Sequence, residues 1–188
     1  MNAIVAGLDP GQARTARQCA ERLASVEVVD AALARMADAI SHALGDRNPL
    51  LLAVMTGGMV PAGLLVSRLD FPFQLDYLQV SRYRETTTGG ELEWLHRPAL
   101  PLTGRDVLVI DDILDEGWTL QAIVDACRAA GAAKVQSAVL VEKRRQRFAD
   151  IRADYVGLEL PDRYLFGYGM DYGGYLRGAP GIYAVDDH

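Results

Sequence analysis

Between Val107 and Leu120 the chain reads VLVIDDILDEGWTL, and few folds accommodate such a run. Val107 to Ile110 would be apolar on both faces of a strand, so that strand must be covered on both sides. Asp111 and Asp112 end it. Asp115, Glu116, Gly117 and Thr119 lie between this strand and a helical pattern over Thr119 to Ala130, which Gly131 closes as a left-handed residue just past the helix end. A strand buried on both faces that feeds a turn and then a helix is the unit of a parallel sheet wrapped by helices.

The rest of the chain repeats that grammar. From about Arg14 to Leu44 the pattern is helical, with Val29, Leu33, Met36, Ile40 and Leu44 on one face. Leu50 to Met55 reads as a buried strand, followed by a Gly-Gly turn and a helix to about Leu69. Leu75 to Val80 is the next strand, and Ser81 to Gly90 a polar loop with a Thr/Gly tip. Leu92 to Leu95 reads as a short returning strand, and Val135 to Val141 and Tyr155 to Leu160 as two more. The expected fold class is α/β, a doubly wound, mainly parallel sheet with helices on both faces. Ligands then sit beyond the carboxyl ends of the strands.

A chain of 188 residues suits one domain, and we expect 1–188 to form it without internal repeats or linkers. The net charge of −6 opposes a nucleic-acid-coating surface, which needs a basic footprint. Pro49 to Ser67 carries no charge, but Thr56-Gly57-Gly58 and Pro61 interrupt it, so strand, loop and helix describe it better than a membrane span. No basic segment followed by an apolar run opens the sequence, and no signal peptide is expected. Cys19 and Cys127 make no metal or redox spacing, and His42, His96 and His188 share no ligand spacing. A soluble cytoplasmic protein without zinc is expected.

An apolar strand ending in two acids is by itself generic. A Walker B reading needs a GxxxxGK[ST] loop, and the chain has no Gly-Lys pair. A receiver-domain reading needs the acids near the domain start, whereas about a hundred residues precede them here. The second half of the motif discriminates. Amide groups at a helix start, aided by the helix dipole, make a phosphate-sized anion site. Carboxylates one step earlier would repel a phosphate but accept hydrogen bonds from sugar hydroxyls. Acids first and anion site second is the order a ribose 5-phosphate requires.

In that order the stretch resembles the signature of the type I phosphoribosyltransferases, and from about Leu50 to Val185 the chain resembles their hypoxanthine-guanine branch. The resemblance implies that Asp111 and Asp112 hold the ribose hydroxyls of phosphoribosyl pyrophosphate, directly or through Mg²⁺. Asp115, Glu116, Gly117, Trp118 and Thr119 would hold the 5-phosphate, largely by backbone amides, with Trp118 itself read as packing. Asp115 also stands where the purine enzymes place the candidate general base facing N7. Leu160 to Tyr172, LPDRYLFGYGMDY, looks like the base-binding segment, with Tyr164 stacking on the purine and Leu165 offering backbone groups near its 2-position. Lys143, read as following the strand that ends at Val141, would donate to the 6-oxo oxygen and so select oxopurines over adenine. The run Lys143, Arg144, Arg145 and Arg147 otherwise reads as a solvated loop.

Asp171 occupies the position of a second Mg²⁺-associated carboxylate, and Arg177 that of the arginine meeting pyrophosphate. Met55-Thr56-Gly57-Gly58 looks like the pyrophosphate loop, whose glycines let backbone N–H groups approach a diphosphate. Ser81 to Gly90 corresponds to the mobile catalytic lid. Thr56 stands where the family often has Lys or Arg, and Arg82-Tyr83 where it commonly has Ser-Tyr. The expected activity is Mg²⁺-dependent transfer of phosphoribosyl to hypoxanthine or guanine by a homodimer or homotetramer, with 1–48 serving as N-terminal helices of a hood or an oligomer contact. Two alternatives stay open: a preference for xanthine, and a non-catalytic regulator that keeps the cradle.

Overall fold

The apolar run at Val107–Ile110 is the middle of a longer strand. In the computed structural model, which describes residues 8–82, 92–145 and 151–185, it extends over Asp106–Leu114 and carries both acids within it. Numbered along the chain, the elements are α1 (Pro10–Cys19), β1 (Glu21–Ala24), α2 (Val26–Leu44), β2 (Leu50–Met55), α3 (Met59–Val66), β3 (Gln74–Arg82) and β4 (Leu92–His96). They continue with β5 (Asp106–Leu114), α4 (Trp118–Ala129), β6 (Lys134–Arg144), β7 (Tyr155–Pro161), β8 (Tyr164–Phe166) and β9 (Ile182–Val185). Among the described residues no helix is long and apolar enough to cross a membrane.

Six strands form the main sheet in the order β4-β3-β2-β5-β6-β7. All neighbours run parallel except β4, which returns antiparallel on β3. Alternation along the strands assigns the two covers. Leu51, Ala53, Leu108, Ile110, Ala138 and Leu140 pack with Val29, Leu33, Met36 and Ile40 of α2 and Leu65 of α3. Leu50, Leu52, Val54, Val107, Val109 and Val139 pack on the opposite face with Leu120, Ile123, Val124 and Cys127 of α4. Each fully buried Leu or Ile contributes about 1.5–3 kcal/mol, and that is why these two faces set the register of every strand.

The chain leaves β2 toward β3 on one side and later returns to place β5 on the other. Strand order reverses there, so a crevice opens beyond the carboxyl ends of β2 and β5. Those two ends carry Thr56–Gly58 and Asp111–Gly117.

The N-terminal region differs from expectation. It is not helical from Arg14 to Leu44: α1 stops at Cys19 and β1 intervenes before α2. The break is tertiary in origin, since β1 pairs with β9, Glu21 lying opposite Ala184. With β8 they make a second sheet, β1-β9-β8. Phe166 and Tyr183 stack in it at 5.4 Å, and the Arg17 guanidinium of α1 covers the Tyr183 ring at 3.6 Å. Thus α1 and β1 join a hood-like small sheet, whereas α2 lies beneath the main one. Gly131 does adopt the left-handed conformation expected past α4, at φ 86°.

Candidate active site

The acidic pair sits at the crevice between β2 and β5. The Asp112 amide donates to Oδ1 of Asp111 at 2.9 Å, and Asp112 is buried. Burial, with the Asp112 charge beside it, raises the Asp111 carboxyl well above the ordinary carboxylate range. Burial raises Asp112 too, although the hydrogen bond with Asp111 and the positive charge of Arg177 pull it back. Two acids destabilised in this way favour any ligand that supplies hydroxyl donors or positive charge.

Gly57 lies directly against them. A Cβ built there would stand 2.0 Å from Oδ2 of Asp112, and one on Gly58 would stand 2.6 Å from the carbonyl oxygens of Val54 and Ile110. Only glycine fits between the turn and the strand end. The preceding peptide, Met55–Thr56, is cis, and Thr56 is exposed. On the far side Gly169 abuts the same turn, its Cβ position 2.1 Å from the Gly57 oxygen. Arg177 donates to the Gly169 oxygen at 2.6 Å and pairs with Asp171 at 2.8 Å, and Asp171 accepts from the Gly174 amide at 2.7 Å. Segments distant in sequence therefore meet in one chain of contacts: Asp112, Gly57, Gly169, Arg177, Asp171.

Beyond Leu114 the chain turns through Asp115, Glu116 and Gly117. Gly117 is left-handed at φ 89° and caps α4 without a side chain, so no side chain at that position covers the first-turn amides. Trp118, read as packing, is instead 41% exposed. Asp115 faces two cations, with Lys143 at 2.9 Å and Arg145 at 2.6 Å. Burial alone would raise its carboxyl, but hydrogen bonds and charge from Lys143 and Arg145 outweigh that and hold it below the ordinary range. Asp162 lies 3.4 Å from Lys143 and 3.5 Å from Arg145.

Lys143 does not follow a strand ending at Val141. The β6 ladder continues past that point, pairing Lys143 with Leu160 and Arg144 with Pro161 of β7, and the lysine is buried. Arg145 and Asp162 were assigned no role from the sequence. The signal for Arg145 was spacing: the alternation of β6, carried one residue past its end at Arg144, puts Arg145 on the same side as Lys143.

Tyr164 opens β8 and meets Tyr172 edge-on at 5.2 Å, while Leu165 is buried and pairs with Ala184. Arg82 ends β3, and Tyr83 with the rest of the expected lid lies outside the described residues. Among the described residues no group of three acids, histidines or cysteines is close enough to form a metal cluster, so Asp111, Asp112 and Asp171 are not a preassembled trio.

The phosphoribosyl transferase domain family matches residues 21–173, which takes in the acidic pair, the α4 turn, Lys143 and the base-binding segment. The chain belongs to this family. Within it the chain is similar to hypoxanthine-guanine and hypoxanthine phosphoribosyltransferases. The chain is 36% identical over 138 residues to the hypoxanthine-guanine phosphoribosyltransferase of Bacillus subtilis, covering 73% of this chain and 77% of that one. It superposes with a TM-score of 0.84 and 27% identity on a hypoxanthine phosphoribosyltransferase from Staphylococcus aureus, covering 88% of this chain and 91% of that one. A Trypanosoma cruzi hypoxanthine phosphoribosyltransferase in complex with the product IMP gives 0.82 and 26%, with coverages of 88% and 93%.

Proposed function

We propose that this phosphoribosyltransferase transfers the phosphoribosyl group of phosphoribosyl pyrophosphate to N9 of hypoxanthine or guanine, giving inosinate or guanylate and pyrophosphate. The observation that carries the choice of base is the Lys143–Asp115 pair at 2.9 Å. An oxopurine carrying its proton on N7 presents an acceptor, O6, beside a donor, N7–H. A lysine donor beside a carboxylate acceptor matches that edge. Adenine offers a 6-amino donor instead, which would face the Lys143 donor with no acceptor between them.

In this reading the α4 amides after Gly117 receive the 5-phosphate, and Asp111 and Asp112 accept from the ribose hydroxyls. Tyr164 stacks on the purine and Leu165 contributes backbone groups near the 2-position. The Gly57 amide and Arg177 take the charge that gathers on departing pyrophosphate, whereas the Gly58 amide, expected to share that duty, already donates to the Val54 oxygen at 2.8 Å. Asp115 accepts the N7 proton as N9 bonds to C1 of the ribose. Asp111, Asp112 and Asp171 would hold Mg²⁺. Their oxygen donors suit that ion, and a site of one or two carboxylates completed by substrate phosphates and water needs no preassembled trio. Bound with the substrate, Mg²⁺ supplies charge neutralisation at the diphosphate.

We extend the reading to a homodimer or homotetramer, supported by exposed Leu75 and Tyr77 on one face of β3. A cytoplasmic location fits the two free cysteines. The test is to incubate the protein with phosphoribosyl pyrophosphate, Mg²⁺ and each of hypoxanthine, guanine, xanthine and adenine, and to follow nucleotide formation. Hypoxanthine and guanine should react. Adenine should fall about 10²-fold or more behind, since losing a hydrogen bond from a charged donor and setting two donors against each other costs roughly 3 kcal/mol. No turnover with any base, or turnover with adenine alone, refutes the reading, and xanthine as the preferred base revises it.

A further inference from the structure

Both oxygens of Asp115 are occupied, and by different cations. Lys143 holds Oδ2 at 2.9 Å and Arg145 holds Oδ1 at 2.6 Å. The Lys143 side chain is 5% exposed and that of Arg145 21%. Arg145 also lies 3.9 Å from Glu116, the next residue of the turn, and its Nε is buried without a hydrogen-bond partner among the described residues. A planar fork with one arm on Asp115 and another toward Glu116 fixes the turn more firmly than a single ammonium can.

The two cations have different futures when base binds. If Lys143 donates to the 6-oxo oxygen, it must release Oδ2, which is the oxygen the N7 proton needs. Arg145 has no such competing duty and stays on Oδ1. We propose that Arg145 is a positioning residue for the transfer: it anchors Oδ1 of Asp115, so that Oδ2 is both freed and aimed when Lys143 turns to the purine. This rests on the roles given above to Asp115 and Lys143.

The proton balance is simple. N7–H gives its proton to Oδ2 and the N–H electron pair stays in the ring. N9 forms the bond to C1 as the C1–oxygen bond breaks, and pyrophosphate leaves with that pair. Arg145 makes and breaks no bond. The charged groups around Asp115 are Lys143 and Arg145 from the end of β6, Asp162 just past β7, and Glu116 in its own turn. Without Arg145, Asp115 keeps one cation that departs when base binds, so it protonates at higher pH.

The test compares Arg145→Met with wild type, using full-length protein, for kcat, for KM of each substrate and for the pH profile of kcat, which reports the base-bound complex. The expected result is a kcat about 10- to 100-fold lower, the size of a lost charge-assisted hydrogen bond. KM for phosphoribosyl pyrophosphate should stay within about threefold, and the acidic limb should move to higher pH. Arg145→Lys should keep the limb near its wild-type position and recover part of kcat. Arg144→Met, at an exposed neighbour, should change nothing. Should Arg145→Met not fold, Arg145→Gln removes the same charge and is read in the same way. An acidic limb that stays in place overturns the proposal whatever happens to kcat, because a merely structural role would leave it there. Asp115→Asn run in parallel separates the two levels. If it retains wild-type turnover, the base assignment itself falls; if it loses turnover while Arg145→Met does not, only the positioning role falls.

Discussion

Replacing Gly57 with alanine would put a methyl carbon 2.0 Å from Oδ2 of Asp112 and 2.4 Å from its Cγ. Non-bonded heavy atoms settle near 3.5 Å, so the turn or the carboxylate must move by more than about 1 Å. Neither moves freely. Asp112 is buried within a strand of the sheet, and the turn is wedged against Gly169 on its other side. Overpacking of this kind costs about 1–3 kcal/mol, which in a domain of this size lowers Tm by roughly 2–4 °C per kcal/mol. The larger effect is on chemistry, because a displacement of about 1 Å at a reacting centre can cost 10²-fold in rate. The assay is kcat and KM for both substrates, with a thermal melt as the fold control. We expect a modest fall in Tm and a loss of about 10²-fold in kcat/KM for phosphoribosyl pyrophosphate. An alanine variant with wild-type kcat/KM would show that Gly57 and Asp112 do not stand against each other as described, and the ribose and pyrophosphate assignments that share this contact would go with it.

Lys143→Met should lower kcat/KM for hypoxanthine about 10²-fold and narrow its lead over adenine by at least about tenfold, read from the four-base assay; an unchanged ratio would remove Lys143 from base selection. Asp115→Asn should fold and bind phosphoribosyl pyrophosphate by calorimetry, yet lose about 10²–10⁴-fold in kcat, the usual span for a proton-transfer group. The same residue carries a stability signature. Its folded-state pKa is lowered, so the stabilisation it gives is fully present above the ordinary aspartate value of about 3.9 and is lost as pH falls through the lower folded value. Urea unfolding at neutral pH and near pH 3 should therefore differ less for Asp115→Asn than for wild type, and an equal difference would contradict the ion pairs seen here.

The main sheet was legible because its information is local. Val107–Ile110 and Leu50–Met55 can be buried only one way, and the alternation that sends Leu108 to α2 and α3 and Val109 to α4 follows from the pleat. The acidic pair and the glycine turn were legible for the same reason, since a short segment states its own chemistry. What escaped depends on distant partners. ERLA at 21–24 holds good helix formers and becomes a strand only because β9 lies beside it. The end of β6 is Glu142, Lys143 and Arg144, which no apolar pattern would extend, yet its ladder with β7 continues. Ending that strand three residues early put Lys143 in a loop and left Arg145 as one charge in a basic run rather than a neighbour of Asp115.

The small sheet has a consequence in time. β9 is its central strand, flanked by β1 from the start of the described chain and β8 from much later. On a ribosome, β2, β5 and α4 emerge with the acidic pair, the glycine turn and the α4 start already able to assemble from neighbours in sequence. The sheet that carries Tyr164 and Leu165 cannot close until β9 has been made, and β1 waits unpaired until then. Among the described strand pairings, closing that span carries the largest loop entropy. A nascent chain stalled before Ile182 would hold a phosphoribosyl cradle with no finished seat for the base.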